Sequence, residues 1–191
     1  WKIKMNAIEI TSKITKAANI LHIEKWDYGA SFSNDYSVQV DRGKAKQLKA
    51  SQKQVITLRV WNKENLVGIT TTSDLSETGI KKALEQASVA SKFGNKNEIT
   101  DFSPLAKDPI HAKELDKKNP LGIKKLLNIL REAESKLIGS HEAIKSIPYN
   151  GLSESFYERI YANSDGAFRN HSKSQAALYL YARAEEKDKK P

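Results

Sequence analysis

The chain has 191 residues, 32 of them Lys or Arg against 23 Asp or Glu, for a formal charge of +9. With 39% hydrophobic and 29% charged residues it falls in the globular range and outside the disordered one. No apolar run approaches the ~18 residues of a membrane helix, and the lack of Cys excludes disulfide scaffolds, thiol nucleophiles and Cys-based metal centres.

The first twenty residues scatter Lys2, Lys4, Lys13 and Lys16 among single apolar residues, so no secretory h-region is present. The chain opens at Trp1 and stops in a charged tail, which reads as a piece of something longer. Ile3, Ala7, Ile10, Ile14, Ala17 and Leu21 alternate steps of four and three and predict one amphipathic helix. From Tyr28 to Thr72 the period changes. Tyr28/Ala30/Phe32, Val38/Val40, Ile56/Leu58/Val60 and Leu66–Thr72 predict short strands, with turns at Ser33-Asn34-Asp35, Arg42-Gly43 and Asn62-Lys63-Glu64-Asn65. Such short connections favour antiparallel neighbours, since a parallel crossover needs about a dozen residues.

At Ser73-Asp74-Leu75-Ser76-Glu77 the helical period returns. Asp74 and Glu77 have the spacing of a capping box, Ile80, Ala83, Leu84, Ala87 and Ala90 share a face, and Gly94 is a natural stop. Residues 95–119, with Pro104 and Pro109, lack periodicity and read as a long surface connection. Asn119-Pro120 supplies an N-cap and an N1 proline for a third helix, whose stripe is Ile123, Leu126, Leu127, Leu130, Ala133 and Leu137 and whose end is Gly139. Residues 144–183 are strand-like again around the turn signal Asn163-Ser164-Asp165-Gly166. The expected fold is α+β: one domain over residues 1–191, with about three amphipathic helices packed on one face of a mostly antiparallel sheet.

Chemistry is harder to find. The positive excess is spread, at +4, +2, +2 and +1 over residues 1–50, 51–100, 101–150 and 151–191. Its one concentration, Arg42 to Lys53, has no aromatic residue and one Arg, which favours a strand edge protected by lysines over a nucleic-acid stripe. His141-Glu142 begins a zinc-peptidase string, but positions 145 and 146 are Lys and Ser, so a loop histidine is the default. His22, His111 and His171 are isolated in sequence. There is no phosphate-binding glycine loop and no Gly-x-Ser-x-Gly elbow. Trp26, Tyr28, Trp61, Tyr157, Tyr161, Tyr179 and Tyr181 could stack on a ligand, but core packing is the expected role for most. No catalytic, cofactor-binding or metal-ligating residue is assigned.

One resemblance adds to this. Tyr28-Gly-Ala-Ser-Phe32, then Tyr36-Ser-Val-Gln-Val-Asp-Arg-Gly43, then residues 60–76 (VWNKENLVGITTTSDLS) followed by an alanine-rich helix resemble the N-terminal domain of the TldD/PmbA family, proposed modulators of DNA gyrase. Tyr161-Ala-Asn-Ser-Asp-Gly166 and residues 172–186 are similar to its closing segment. Thr72-Ser-Asp-Leu-Ser76 and Asn163-Ser-Asp-Gly166 are closer to the PmbA (TldE) branch. The resemblance implies cytoplasmic chains in which TldD and PmbA types pair, or a chain pairs with itself, for metal-dependent processing of peptides. It places the His-Glu metal motif in TldD beyond the region represented here, so any zinc belongs to the partner or to a missing C-terminal part. No catalytic residue is carried over. The alternatives are the same domain of an active zinc metallopeptidase whose site follows Pro191, or a basic nucleic-acid-binding module; nucleic acid is the less favoured partner and no membrane is expected.

Overall fold

The structure is a computed structural model describing residues 7–94, 101–108 and 120–186. The start of the first predicted helix, His111 and Asn119 lie outside the described residues. Among the described residues five strands form one antiparallel sheet in the order β3-β2-β1-β4-β5: β1 Lys25–Asp41, β2 Lys44–Trp61, β3 Val67–Thr72, β4 Ile144–Asn163 and β5 Phe168–Ala184. With the three α-helices found among the described residues, α1 Ala7–Ile20, α2 Glu77–Ser91 and α3 Ile123–Gly139, the fold is α+β as expected. The chain divides into two compact units, and β1, β2, β4 and β5 each contribute residues to both.

The first unit holds residues 7–32, 53–94, 101–108 and 158–171. Its core holds the predicted stripe residues Ile10, Ile14 and Ala17 of α1, joined by Ala18, and Ile80, Ala83, Leu84 and Ala87 of α2, which meet Trp26, Tyr28, Ala30, Ile56, Leu58 and Val60. α1 ends in a Schellman motif. Ile23 N donates to Ala18 O at 2.9 Å and His22 N to Asn19 O at 3.2 Å, with His22 at φ 53° in the position glycine usually fills. α2 lies so close on β3 that a Cβ at Gly68 would overlap the backbone of Ala87 and Ser91. β3 pairs antiparallel with β2 from Ile56↔Thr72 to Trp61↔Val67.

The second unit holds residues 33–52, 120–157 and 172–186. Leu126 and Leu130 of α3, flanked by half-buried Ile123 and Leu127, pack on Val38, Val40 and Leu152.

Four expectations change. No turn forms at Ser33-Asn34-Asp35, because β1 runs through it; Ser33 Oγ donates to Asp35 Oδ2 at 3.1 Å, so polar side chains are satisfied within an extended strand. The strands are accordingly long, between 17 and 20 residues for β1, β2, β4 and β5. The cap of α2 is Ser76, whose Oγ accepts from Gly79 N at 3.0 Å, while Asp74 Oδ1 accepts from Ser76 N at 2.9 Å as a turn before the helix. Those bonds to Ser76 hold the Asp74 carboxyl below its usual range. α3 starts at Ile123 behind Gly122, whose φ of 79° turns the chain into the helix, so Pro120 precedes the helix rather than opening it.

Candidate functional site

The three histidines among the described residues, His22, His141 and His171, sit on separate elements. His22 serves the α1 terminus, His141 Nδ1 accepts from Ala143 N at 3.1 Å inside a turn, and His171 is exposed on β5. Among the described residues no three His, Asp or Glu gather as a metal site would require.

A cavity of about 520 Å³ opens in the first unit between α1 and the β4–β5 turn, lined by Thr11, Thr15, Asn19, His22, Asn163 and Ser164 among others. Much of its polar wall is already used. Ser164 N donates to Trp26 O at 2.8 Å and its Oγ accepts from Trp26 N at 3.2 Å. Asn163 Oδ1 accepts from Ala167 N at 2.9 Å and Asp165 N at 3.1 Å. The Asn163-Ser164-Asp165-Gly166 string thus makes a turn and ties it to β1; Gly166, at φ 92°, completes it.

Asp27 is the buried acid of the first unit. Arg59 grips it with two nitrogens, Nε at 2.8 Å from Oδ1 and Nη2 on Oδ2, while Tyr161 OH donates to Oδ2 at 3.3 Å. Burial, then the charge of Asp27, hold the Tyr161 phenol above its ordinary range. A carboxylate so fully engaged is a structural ion pair, with no free oxygen offered as a base.

The second unit presents the more exposed chemistry. Residues 41–52 are all exposed and carry Arg42, Lys44, Lys46 and Lys49 with Asp41 as the sole acid. β3 reaches β2 only from Ile56 onward, so residues 44–52 have β1 on one side and no β3 partner on the other. This is the open strand edge that the basic run predicts. Lys44, Lys46 and Lys49 make no ion pair among the described residues.

Two buried polar side chains fix the hairpin that carries this edge. Arg42 and Gly43, at φ 50° and 73°, have the paired positive φ of a type I′ turn between β1 and β2. Glu134 of α3, only 4% exposed, accepts from Gly43 N at 2.7 Å and Arg42 N at 3.2 Å. Asn150 of β4 accepts from Val40 N at 2.9 Å and donates to Val40 O at 2.8 Å and Ile147 O at 3.1 Å. Neither residue was singled out by motif. Glu134 lies four residues after Leu130, on the continuation of the α3 stripe, and a carboxylate on an apolar face was the available signal.

The aromatic residues divide. Trp26, Tyr28 and Trp61 are buried as expected, whereas Tyr157, Tyr179 and Tyr181 are exposed and Tyr161 is half-buried. Tyr179 and Tyr181 meet edge to face at 6.0 Å, and the Tyr179 ring covers Gly151, where a Cβ would collide with it. Residues two apart on a strand share a face, so core packing does not hold for this pair.

Comparison with solved structures returns the same fold in three longer proteins. A proposed modulator of a DNA gyrase from Thermotoga maritima aligns at TM-score 0.72 and 13% identity, covering 96% of this chain and 41% of that one. TldE from Thermococcus kodakarensis aligns at 0.67 and 16%, covering 95% and 40%. A proposed modulator of DNA gyrase from Bacteroides thetaiotaomicron aligns at 0.67 and 13%, covering 94% and 41%. The chain thus spans about two fifths of each. No curated protein matches it. Two family domains match the sequence itself: PmbA/TldA metallopeptidase domain 1 over residues 30–91 and the PmbA/TldA metallopeptidase central domain over residues 116–190. These matches name PmbA jointly with its sister branch and do not choose between them. Together they account for most of the sequence, and the chain belongs to the TldD/PmbA family of metallopeptidase-type proteins.

Proposed function

We propose that this chain is the non-catalytic N-terminal part of a PmbA-type protein. In this reading it supports metal-dependent peptide processing in the cytoplasm with a TldD-type partner. The observation that carries the reading is the pair of metallopeptidase-family matches, to a first and a central domain, over residues 30–91 and 116–190. Hydrolysis is assigned elsewhere in this reading, which is supported by the engagement of three candidate groups in the fold: Asp27 with Arg59, Glu134 with a turn and His141 with its own loop. What the chain offers instead is extended backbone, and an extended peptide can add to such a strand through main-chain hydrogen bonds.

The test is to assay cleavage of unfolded peptides by the 191-residue chain with zinc, and then with a metal-competent TldD-type partner. No cleavage alone, weak cleavage with the partner and stronger cleavage with the full-length protein are expected. Metal-dependent cleavage by the chain alone would refute the reading. A His-Glu-x-x-x-His string downstream of Pro191 would instead select an active metallopeptidase chain.

A further inference from the structure

We infer that the β2 edge at residues 44–52 is a docking strand for an extended, acidic peptide segment. Three observations on this one segment converge. β2 here has β1 as its neighbour on one side, and the register of β3 ends at Ile56, so on the other side its backbone donors and acceptors have no strand partner among the described residues. Every residue from Lys44 to Gln52 is exposed, on both faces of the strand. Lys44, Lys46 and Lys49 are ammonium groups without an ion-pair partner among the described residues.

The lysine spacing selects the incoming chain. On a strand, Lys44 and Lys46 share one face and Lys49 lies on the other. An added strand places its side chains directly across from these, close enough for opposite charges to attract and like charges to repel. Glu or Asp across from both faces is therefore favoured, and a basic segment is rejected. Lysines on an edge also deter pairing by neutral or basic strands, which would protect the free protein from self-association. An acidic strand is the class that this protection lets through. A single-stranded nucleic acid fits less well, because residues 44–52 have neither aromatic residues nor Arg for bases to stack on.

This inference rests on the peptide-handling reading above, and its test separates the two. The 191-residue chain is titrated with a fluorescent peptide of alternating Glu and Val at low and moderate salt. Parallel titrations use the same peptide with Lys for Glu, a version N-methylated at alternate amides, one with Gln for Glu, and a homopolymeric single-stranded DNA. The acidic peptide should bind, the lysine and N-methylated versions should not, and salt should weaken binding. Replacing Lys44, Lys46 and Lys49 by Gln should weaken the acidic peptide about tenfold or more, from three cross-strand pairs, with an unchanged circular dichroism spectrum. Equal binding of the N-methylated peptide would overturn strand addition in favour of mere charge attraction. Equal binding of the Gln peptide, or tighter binding of the DNA, would overturn the acidic peptide as occupant. No binding of any probe would overturn the docking strand itself. Cleavage in the partnered assay bears on the peptide-processing reading alone, so either conclusion can fail while the other stands.

Discussion

Replacing Asn150 by Ala should be among the most damaging single changes in the second unit. Asn150 is 3% exposed and Val40 1%, so water has no ready access to the groups between them. In an antiparallel ladder a residue's N–H and C=O point toward the same neighbour, so both Val40 groups that Asn150 satisfies face away from β2. Truncation leaves the two without a partner, and each buried unsatisfied group costs about 1–3 kcal/mol. A loss of about 2–6 kcal/mol follows, a large part of the 5–15 kcal/mol typical of a whole domain. Urea unfolding followed by far-ultraviolet circular dichroism measures it, and hydrogen exchange at the Val40 amide localises it. Asn150→Asp gives a second, pH-dependent reading of the same geometry. It keeps an acceptor for Val40 N but sets a carboxylate against the carbonyl oxygens of Val40 and Ile147, which raises the folded-state pKa of the new carboxyl. The relative stability of that variant should be highest below about pH 4 and decline as pH rises through the raised folded value. A destabilisation by Ala under about 0.5 kcal/mol, with Val40 still protected from exchange, would refute this account of the Asn150 contacts.

Gly68→Ala should cost about 3 kcal/mol or more, because the new methyl meets helix backbone at Ala87 and Ser91 rather than a side chain that can rotate away; thermal unfolding measures it. Burial, opposed by the Thr11 hydroxyl at 2.6 Å, pushes the Tyr28 phenol above its ordinary value, so its share of stability is present below about pH 10 and lost as pH rises through the folded value. Tyr28→Phe should remove that alkaline loss while costing about 1 kcal/mol at neutral pH, read by unfolding titrations at both. With no Cys and four His that the sequence does not space as ligands, the purified chain should retain no stoichiometric zinc after dialysis, and metal analysis finding one zinc per chain would contradict this.

The helices were legible because their apolar residues repeat with helical spacing and little else competes: Ile10, Ile14, Ile80, Leu84, Leu126 and Leu130 are all buried where the pattern put them. Strand length was less legible. Ser33, Asn34 and Asp35 are turn formers by composition, yet a strand tolerates them when their side chains find partners, as Ser33 does in Asp35. Two separate apolar clusters, one around Tyr28 and one around Val38, were invisible for a simpler reason. Both draw on β1, and alternation along a strand says which face is buried without saying against what. The basic run was legible as an edge, since lysines with no aromatic companion and a single Arg suit a protected edge better than a nucleic-acid stripe. Its anchors were not. Glu134 and Asn150 act on backbone groups far away in sequence; Asn150 leaves no local spacing to read, and the one trace of Glu134 is a carboxylate that continues the α3 stripe.

Those anchors bear on how the edge would work. An exposed hairpin arm held only by its ladder frays, and ordering it on binding costs roughly 1–2 kcal/mol for each residue fixed. Here the turn is held by the Glu134 carboxylate and the end of β1 by the Asn150 amide, both from elements outside the hairpin. Restraining β1 and the turn restrains β2, because β1 is the neighbour that residues 44–52 have. The edge therefore enters a complex with most of its backbone entropy already lost, and the incoming peptide alone has to be ordered. The consequence is that Glu134→Gln, which replaces one charged acceptor by an amide donor facing the turn N–H groups, should weaken acidic-peptide binding without touching any lysine. The loss should be smaller than that of the three-lysine variant and insensitive to salt, since it acts through order rather than through charge attraction. Isothermal titration at two salt concentrations distinguishes the cases: a salt-dependent loss, or none at all, would show that the hairpin's rigidity does not contribute to docking.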